Sequence, residues 1–240
     1  MTVKFLSCGD TALVVEFGER IERGLSEAVL RLGAQIGAAG LAGVVETVPT
    51  LRSLMVHYDP CLTGAVQLEA AITALLEAPA RLAQKARRWR VPVCYEGELA
   101  PDLAYVAKET GLAAKEVVAL HAGRPYHVYM IGFLPGLPYM GDLPEPLVLP
   151  RRVDPRVRLP PGSVAIAMTM TIIYPLESPG GWHLIGATPV RLFDARWPAP
   201  ALLAPGDAVE FEPIGRAGFA KLARAVEHGD YEVPHERLPA

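Results

Sequence analysis

The chain has 240 residues, 51% of them hydrophobic, and a formal net charge of −3; this length suits one large domain or two smaller ones, and we predict two. The balance of 23 basic against 26 acidic residues argues against a nucleic acid or an anionic membrane as partner. No stretch approaches the roughly 20 apolar residues of a membrane span, and the N-terminus MTVKFLSCGD lacks the apolar core of a secretory signal, so we expect a cytoplasmic protein.

The first 80 residues alternate strand and helix signals. Apolar residues recur at helical spacing from Ile21 to Ile36, and Gly40 follows as a helix end. Short apolar runs on both sides of this helix are typical of strands, and a second segment rich in Ala, Leu and Glu has helical spacing. The predicted strands are residues 3–6, 12–17, 44–48 and 54–58, and the predicted helices are residues 21–36 and 66–76. The sequence therefore predicts a small α+β domain of order β-β-α-β-β-α over residues 1–80.

A basic segment, APARLAQKARRWR, follows this domain. Its five basic residues have no acidic residue among them; they are Arg81, Lys85, Arg87, Arg88 and Arg90. A solvated linker or helix end explains such a run, and so does a basic patch for a partner. The sequence leaves both interpretations open.

The second predicted domain covers residues 88–230 and is mostly β. A helix begins near Pro101 and ends before Gly111, and AAKEVVALHAG predicts another. Beyond Gly123 the apolar runs HVYMIGF, GSVAIAM, WHLIG, VRLFD and AVEFEP are separated by Pro and Gly. Many short strands with such punctuation predict a closed barrel or a sandwich. A terminal helix is predicted over residues 219–227.

Several chemistries lack a motif in this chain. The sequence has neither G-x-x-x-x-G-K-[ST] nor G-x-G-x-x-G after a strand, so nucleotide binding by this chain alone is not expected. It has no G-x-S-x-G elbow and no H-E-x-x-H pair, and Cys8, Cys61 and Cys94 have no metal-like spacing. We expect no metal site and no tightly bound cofactor, and three sparse thiols suit a reducing compartment.

The segment PRRVDPRVRLPPGS carries four arginines opposed only by Asp154; they are Arg151, Arg152, Arg156 and Arg158. A guanidinium binds a carboxylate or phosphate through two parallel hydrogen bonds. An anion site and a structural ion-pair network both fit this segment.

Two further residues could take part in chemistry. His121, near a helix end, could be a general base because its ordinary pKa lies near neutral pH, although a buried histidine of the core fits the same position. Tyr174 could donate a hydrogen bond to a ligand, or it could be an ordinary half-buried strand residue.

Three long motifs and one short motif between residues 126 and 194 resemble one known family. They are YHVYMIGFLPGLPYMGDLP, PRRVDPRVRLPPGSVAIA, IYP and SPGGWHLIGATPVRLFD, and in this order they resemble the family of the 5-oxoprolinase B subunit, also called the KipI or allophanate hydrolase subunit 1 family. The resemblance implies a cyclophilin-like β-barrel behind a small α+β domain.

The resemblance also implies partners and two alternative functions. The B subunit of 5-oxoprolinase works with a cyclophilin-like C subunit and with a separate A subunit. This complex hydrolyses 5-oxoproline to glutamate with ATP as co-substrate. KipI, by contrast, binds and inhibits a histidine kinase and catalyses nothing. The resemblance leaves both functions open.

The resemblance places a site at the open face of the barrel. Arg151 and Arg156 are the candidates for holding a carboxylate, and His121 is the candidate proton carrier. The other candidates for lining the opening are Thr171, Tyr174, Gly180 and Gly181. Four positions depart from the family pattern, in which Gly, Gln, Gly and Arg stand where this chain has Met168, Met170, Ile172 and Ala187. If they face the site, these replacements make its wall more apolar.

Overall fold

The computed structural model of the chain describes residues 3–78 and 86–238. These residues fall into two compact units, one on each side of the gap. Each unit has its own hydrophobic core. Of the helices in the described ranges, none combines the length and the apolarity needed to cross a bilayer.

The N-terminal unit packs two helices on one antiparallel sheet of strand order β1-β2-β4-β3. Its elements are β1 (Lys4–Ser7), β2 (Ala12–Glu16), α1 (Arg23–Ala39), β3 (Val44–Pro49), β4 (Ser53–Tyr58) and α2 (Ala65–Glu77). Strand β4 alternates buried and half-buried residues because one face of the sheet carries the core. Helix α1 ends where Gly40 takes a left-handed φ of 57°, a conformation that glycine adopts without steric cost.

Within residues 86–238, the C-terminal unit contains a closed seven-stranded β-barrel, three further short strands and three α-helices. Its strands are β5 (Arg87–Cys94), β6 (Tyr126–Ile131), β7 (Pro138–Gly141), β8 (Arg156–Leu159), β9 (Ser163–Ala167), β10 (Met170–Ile173), β11 (Ser178–Gly180), β12 (His183–Ala187), β13 (Ala208–Ile214) and β14 (His235–Arg237). Its helices are α3 (Leu103–Thr110), α4 (Ala114–Ala122) and α5 (Arg216–His228).

The barrel ring runs β12-β9-β10-β7-β6-β13-β5 and closes where Ala187 of β12 pairs with Cys94 of β5. Strand β13 pairs with β5 in parallel along one edge, and β14 pairs with the beginning of β5 along the other edge, the one that β12 meets at Cys94. The interior is filled by branched apolar side chains, among them Val91, Val164 and Ile185. Strands β8 and β11 form a separate two-stranded sheet.

One strand predicted for this unit is absent. VRLFD is not a strand: the chain turns back there, and Phe193 forms only an isolated bridge with Ala201. Two backbone hydrogen bonds close this turn, from Asp194 N–H to the Pro200 carbonyl and from Leu202 N–H to the Leu192 carbonyl. The segment after the turn is rich in proline, and proline has no N–H to donate, so the two sides of the turn do not form further strand-type hydrogen bonds.

Part of the basic segment lies in the barrel unit. Arg87, Arg88 and Arg90 belong to strand β5 rather than to a linker or helix end. Arg88 lies 3.3 Å from Glu210 and 3.1 Å from Glu236, so neighbouring strands balance its charge. Arg81 and Lys85 lie outside the described residues.

Candidate functional site

A hydrogen-bond chain inside the barrel joins His121 to Thr171. The Nδ1 atom of His121 lies 2.9 Å from the Tyr95 hydroxyl, and its Nε2 atom lies 2.9 Å from the Thr171 hydroxyl. Thr171 also lies 3.1 Å from the Ala165 carbonyl, which can only accept. Thr171 therefore donates to that carbonyl and accepts from Nε2–H, and Nδ1 accepts from Tyr95.

This arrangement keeps His121 neutral. The residue is fully buried and its ring stacks on Phe211 at 4.6 Å between centroids. Burial lowers the pKa of His121 to about 3, because the charged form is costly away from water. Both ring nitrogens are occupied within the core. The structure thus places His121 and Thr171 together, and it places them away from solvent.

Asp102 binds two of the four arginines. Its carboxylate accepts two hydrogen bonds from Arg156, both at 2.7 Å, and one from Arg152 at 3.0 Å. It also accepts the Leu184 N–H at 2.7 Å. The opposing acid is therefore Asp102 and not Asp154, which accepts a hydrogen bond from Arg152 through its backbone carbonyl. Arg156 is engaged in structural pairing.

The other two arginines differ from each other. Arg158 is exposed and lies 2.6 Å from Glu177. Arg151 is exposed, and its guanidinium carbon lies 5.6 Å from the centroid of the Trp182 ring. Within residues 3–78 and 86–238, no carboxylate lies within ion-pairing distance of Arg151. Of the four, Arg151 is the arginine left to bind an anion.

Two tyrosines lie beside Arg151. Burial raises the pKa of Tyr174 to about 12 and also raises that of Tyr139, while the positive charge of Arg151 lowers both. Tyr139 meets Trp182 edge to face, with 6.1 Å between ring centroids. Neither tyrosine hydroxyl has a hydrogen-bond partner among the described residues. Two phenolic donors and one guanidinium thus remain available in one place.

The two glycines of the β11 turn have different surroundings. A Cβ atom on Gly180 would overlap the Tyr174 hydroxyl and lie 2.6 Å from Leu159 Cδ1. A Cβ atom on Gly181 would meet nothing closer than 3.5 Å. The Gly181 carbonyl accepts the Arg152 N–H at 2.8 Å, which attaches the arginine segment to this turn. Gly180 therefore permits the position of Tyr174, whereas Gly181 contributes its backbone.

We define the Arg151 cluster as Arg151, Tyr139, Tyr174, Trp182 and Gly180. Sequence reasoning missed Tyr139 and Trp182, although both lie inside the family motifs and Trp182 follows Gly181 directly. Asp102 was missed because it precedes a helix, where an aspartate is ordinarily a cap. Its arginine partners are 50 and 54 residues further along the chain.

The four altered positions do not form one wall. Ile172 pairs with Tyr139 across β10 and β7, so it adjoins the Arg151 cluster. Met168 is 55% exposed at the tip of the hairpin between β9 and β10. Met170 pairs with Ala167 at one end of β9, whereas Ala187 pairs with Ser163 at the other end of β9. Ala187 also pairs with Cys94 of β5.

The fold with its closed barrel is that of a carboxyltransferase domain, subdomain C and D, a family that matches residues 3–203. The B subunit of 5-oxoprolinase from Bacillus subtilis is 37% identical over 233 residues, which cover 91% of this chain and 97% of that protein. The B subunit of 5-oxoprolinase from Escherichia coli O157:H7 is 39% identical over 205 residues, covering 85% and 93% respectively. The chain therefore belongs to the family of the 5-oxoprolinase B subunit.

Solved structures share this fold. The crystal structure of TTHA0988 superimposes with a TM-score of 0.77 and 36% identity over 85% of this chain, which spans 40% of the length of that one. The Kluyveromyces lactis urea amidolyase superimposes with a TM-score of 0.81 over 98% of this chain and 16% of its own. At 20% identity, the second likeness concerns the fold alone.

Proposed function

We propose that this chain is a non-autonomous subunit of an ATP-dependent lactam hydrolase of the 5-oxoprolinase type, acting in the cytoplasm. The observation that carries the proposal is the Arg151 cluster, in a chain that aligns with 97% of a protein named as the B subunit of 5-oxoprolinase. The proposed partners are homologues of the C subunit, which is cyclophilin-like, and of the A subunit. The chain's barrel is inferred to be of the cyclophilin-like type.

The proposed substrate, 5-oxoproline, carries a carboxylate and a ring amide. Arg151 is the proposed carboxylate ligand, because a guanidinium matches a carboxylate through two parallel N–H donors. The hydroxyls of Tyr139 and Tyr174 supply further donors, and a hydrogen bond to the lactam oxygen makes the carbonyl carbon more electrophilic. Gly180 and the backbone of Gly181 border this space. ATP binds on another subunit in this proposal, since no phosphate-binding loop motif is found in the sequence.

The remaining candidates act indirectly in this proposal. Arg156 shapes the site through Asp102. Thr171 and His121 fix the barrel strand that precedes Tyr174. Proton transfer is assigned to a group of a partner subunit, because both nitrogens of His121 are already hydrogen-bonded in the core.

The test is 5-oxoproline-dependent phosphate release by the complex assembled from this chain and the homologues of the A and C subunits from the same genome. Arg151→Met should lower kcat/KM about 10- to 150-fold, because a hydrogen bond to a charged group contributes about 1.5–3 kcal/mol. Arg158→Met is the matched control, since Arg158 lies in the same segment but pairs with Glu177. Equal activity of both variants would contradict the assignment of Arg151. A complex that releases no phosphate with 5-oxoproline would contradict the proposed function and favour the KipI-like regulatory role.

A further inference from the structure

Asp102 occupies an unusual place for a residue that precedes a helix. It directly precedes α3, where an aspartate ordinarily accepts a backbone N–H of the first turn. Its side chain makes no such capping bond. The carboxylate is only 5% exposed and is occupied by Arg152, Arg156 and the Leu184 N–H. Burial raises the pKa of the Asp102 carboxyl, and the hydrogen bonds from Arg156 and Leu184 outweigh that effect and lower it.

The same carboxylate joins the two pieces of chain that carry Arg151 and Trp182. Its bond to Leu184 holds strand β12, which begins one residue after Trp182. Its bonds to Arg152 and Arg156 hold the segment on both sides of Pro155. The Arg152 N–H also donates to the Gly181 carbonyl, so the residue next to Arg151 is fixed by backbone and side chain.

We propose that Asp102 is a positioning residue that removes Arg152 and Arg156 from ligand binding and thereby presents Arg151 alone to the substrate carboxylate. A guanidinium that already donates to a buried carboxylate has fewer donors left for a ligand. Three cationic side chains in one segment would otherwise compete for the same anion. The inference that Asp102 orders these arginines rests on the structure; its effect on the substrate also rests on the proposed function.

The first experiment depends on no activity. Phenylglyoxal modifies free guanidinium groups, and a chymotryptic digest followed by fragment-ion mass spectrometry resolves Arg151 from Arg152. In the wild-type chain we expect Arg151 and Arg158 to react at least about tenfold faster than Arg152 and Arg156, because hydrogen-bonded, half-buried groups are protected. Equal rates at Arg151, Arg152 and Arg156 would overturn the proposal.

Variants then separate Asp102 from its surroundings. Asp102→Asn should raise the modification rates of Arg152 and Arg156 toward that of Arg158, and Asp102→Glu should restore part of the protection. Asp154→Asn is the control, because Asp154 lies in the same segment and meets Arg152 through its backbone carbonyl rather than its carboxylate. If Asp102→Asn does not fold, Arg156→Met keeps the Arg152 pair and the Leu184 bond. In that variant Arg152 should stay protected, and a rate equal to that of Arg158 would count against the proposal.

The second experiment measures the assembled complex. Asp102→Asn should raise KM for 5-oxoproline about tenfold and leave kcat within about twofold, because Arg151 remains but is less well placed. Asp102→Glu should recover part of the loss. A fall in kcat at unchanged KM would contradict positioning of the carboxylate ligand. A wild-type complex with no 5-oxoproline-dependent activity would refute the proposed function. The modification rates would still decide whether Asp102 orders the arginines.

Discussion

The four arginines of the 151–158 segment differ in what they can do because each meets a different partner. Arg152 and Arg156 share one buried carboxylate, Arg158 pairs with an exposed glutamate, and Arg151 lies over an indole ring. A surface pair such as that of Arg158 contributes little to stability, whereas removing one member of a buried pair leaves an uncompensated charge. The same residue type therefore lies in a buried ion pair at two positions, in a surface ion pair at a third and over an indole ring at the fourth.

A residue-scale prediction follows from His121. Its pKa is about 3 in the folded chain and about 6.5 when unfolded, so between these values the unfolded state binds one more proton. The free energy of unfolding should therefore fall as pH decreases below about 6.5, by about 1.4 kcal/mol per pH unit from this group, until pH 3. Above pH 6.5 this contribution is constant.

Urea unfolding between about pH 4 and pH 7 measures this dependence. Tryptophan fluorescence, excited at a wavelength that tyrosine does not absorb, reports the C-terminal unit alone, because all three tryptophans, Trp89, Trp182 and Trp197, lie in it. His121→Leu should be less stable at neutral pH. Between about pH 4 and pH 6.5 its free energy of unfolding should change less steeply with pH than that of the wild type, by the equivalent of about one bound proton. His228→Gln, at an exposed helix end, should keep the pH dependence of the wild type. Identical slopes in the two variants would show that His121 is not neutral in the fold.

At the scale of elements, the hairpin between β9 and β10 contains a mismatch between residue and conformation. Met168 and Thr169 form its two-residue loop, and Met168 has a φ of 51°. A left-handed first position is typical of a type II′ turn, which prefers glycine there.

Met168→Gly should therefore stabilise the C-terminal unit by about 0.5–1 kcal/mol, since relief of about 1–2 kcal/mol of strain exceeds the entropic cost of glycine. Little packing is lost because the side chain is 55% exposed. Thr169→Gly, one residue on and without positive φ, should instead destabilise by about 0.5–1 kcal/mol. Thermal or urea unfolding followed by fluorescence checks both, and a destabilised Met168→Gly variant would disprove the strain.

The Gly180-Gly181 turn offers another matched pair. Gly180→Ala should destabilise by about 1–3 kcal/mol, because the new methyl group must displace the buried Tyr174 or Leu159. Gly181→Ala should change stability by less than about 0.5 kcal/mol, since the new methyl group would make only ordinary van der Waals contacts, the nearest at 3.5 Å to Pro155. In the assembled complex, only Gly180→Ala should weaken the use of 5-oxoproline. Equal effects of the two substitutions would show that the position of the Tyr174 hydroxyl does not depend on the absence of a side chain at Gly180.

Local patterns predicted the elements whose cause is local. Helix α1 follows from apolar spacing and from Gly40, and the strands of the N-terminal unit follow from short apolar runs bounded by turns. Pairings between distant segments left no such signal. The contact that closes the barrel joins residues 94 and 187, and the acid that binds Arg156 lies 54 residues before it. The sequence therefore indicated an arginine-rich site and could not tell which arginine is free.

At the scale of the whole molecule, the proposed function requires both a binding surface for the substrate and a means of using ATP, and the sequence has no motif for the second. In the proposed function, the Arg151 cluster supplies the donors for the carboxylate and the carbonyl of the substrate. A phosphate chain, by contrast, is ordinarily held by a glycine-rich loop at a helix N-terminus, and no such motif occurs in the 240 residues. Coupling of ATP cleavage to lactam opening is thus expected to need a further polypeptide of the complex.

The purified chain alone should consequently release no phosphate from ATP above the rate without enzyme, with or without 5-oxoproline. Addition of the homologues of the A and C subunits should give 5-oxoproline-dependent release that saturates as the chain is titrated against fixed partners, because each active complex requires its own copy. The Arg151→Met chain, mixed in excess with wild type, should compete for partners and lower the rate in proportion to its share. Robust turnover by the isolated wild-type chain would show that this protein binds ATP itself, by a site that lacks both phosphate-loop motifs.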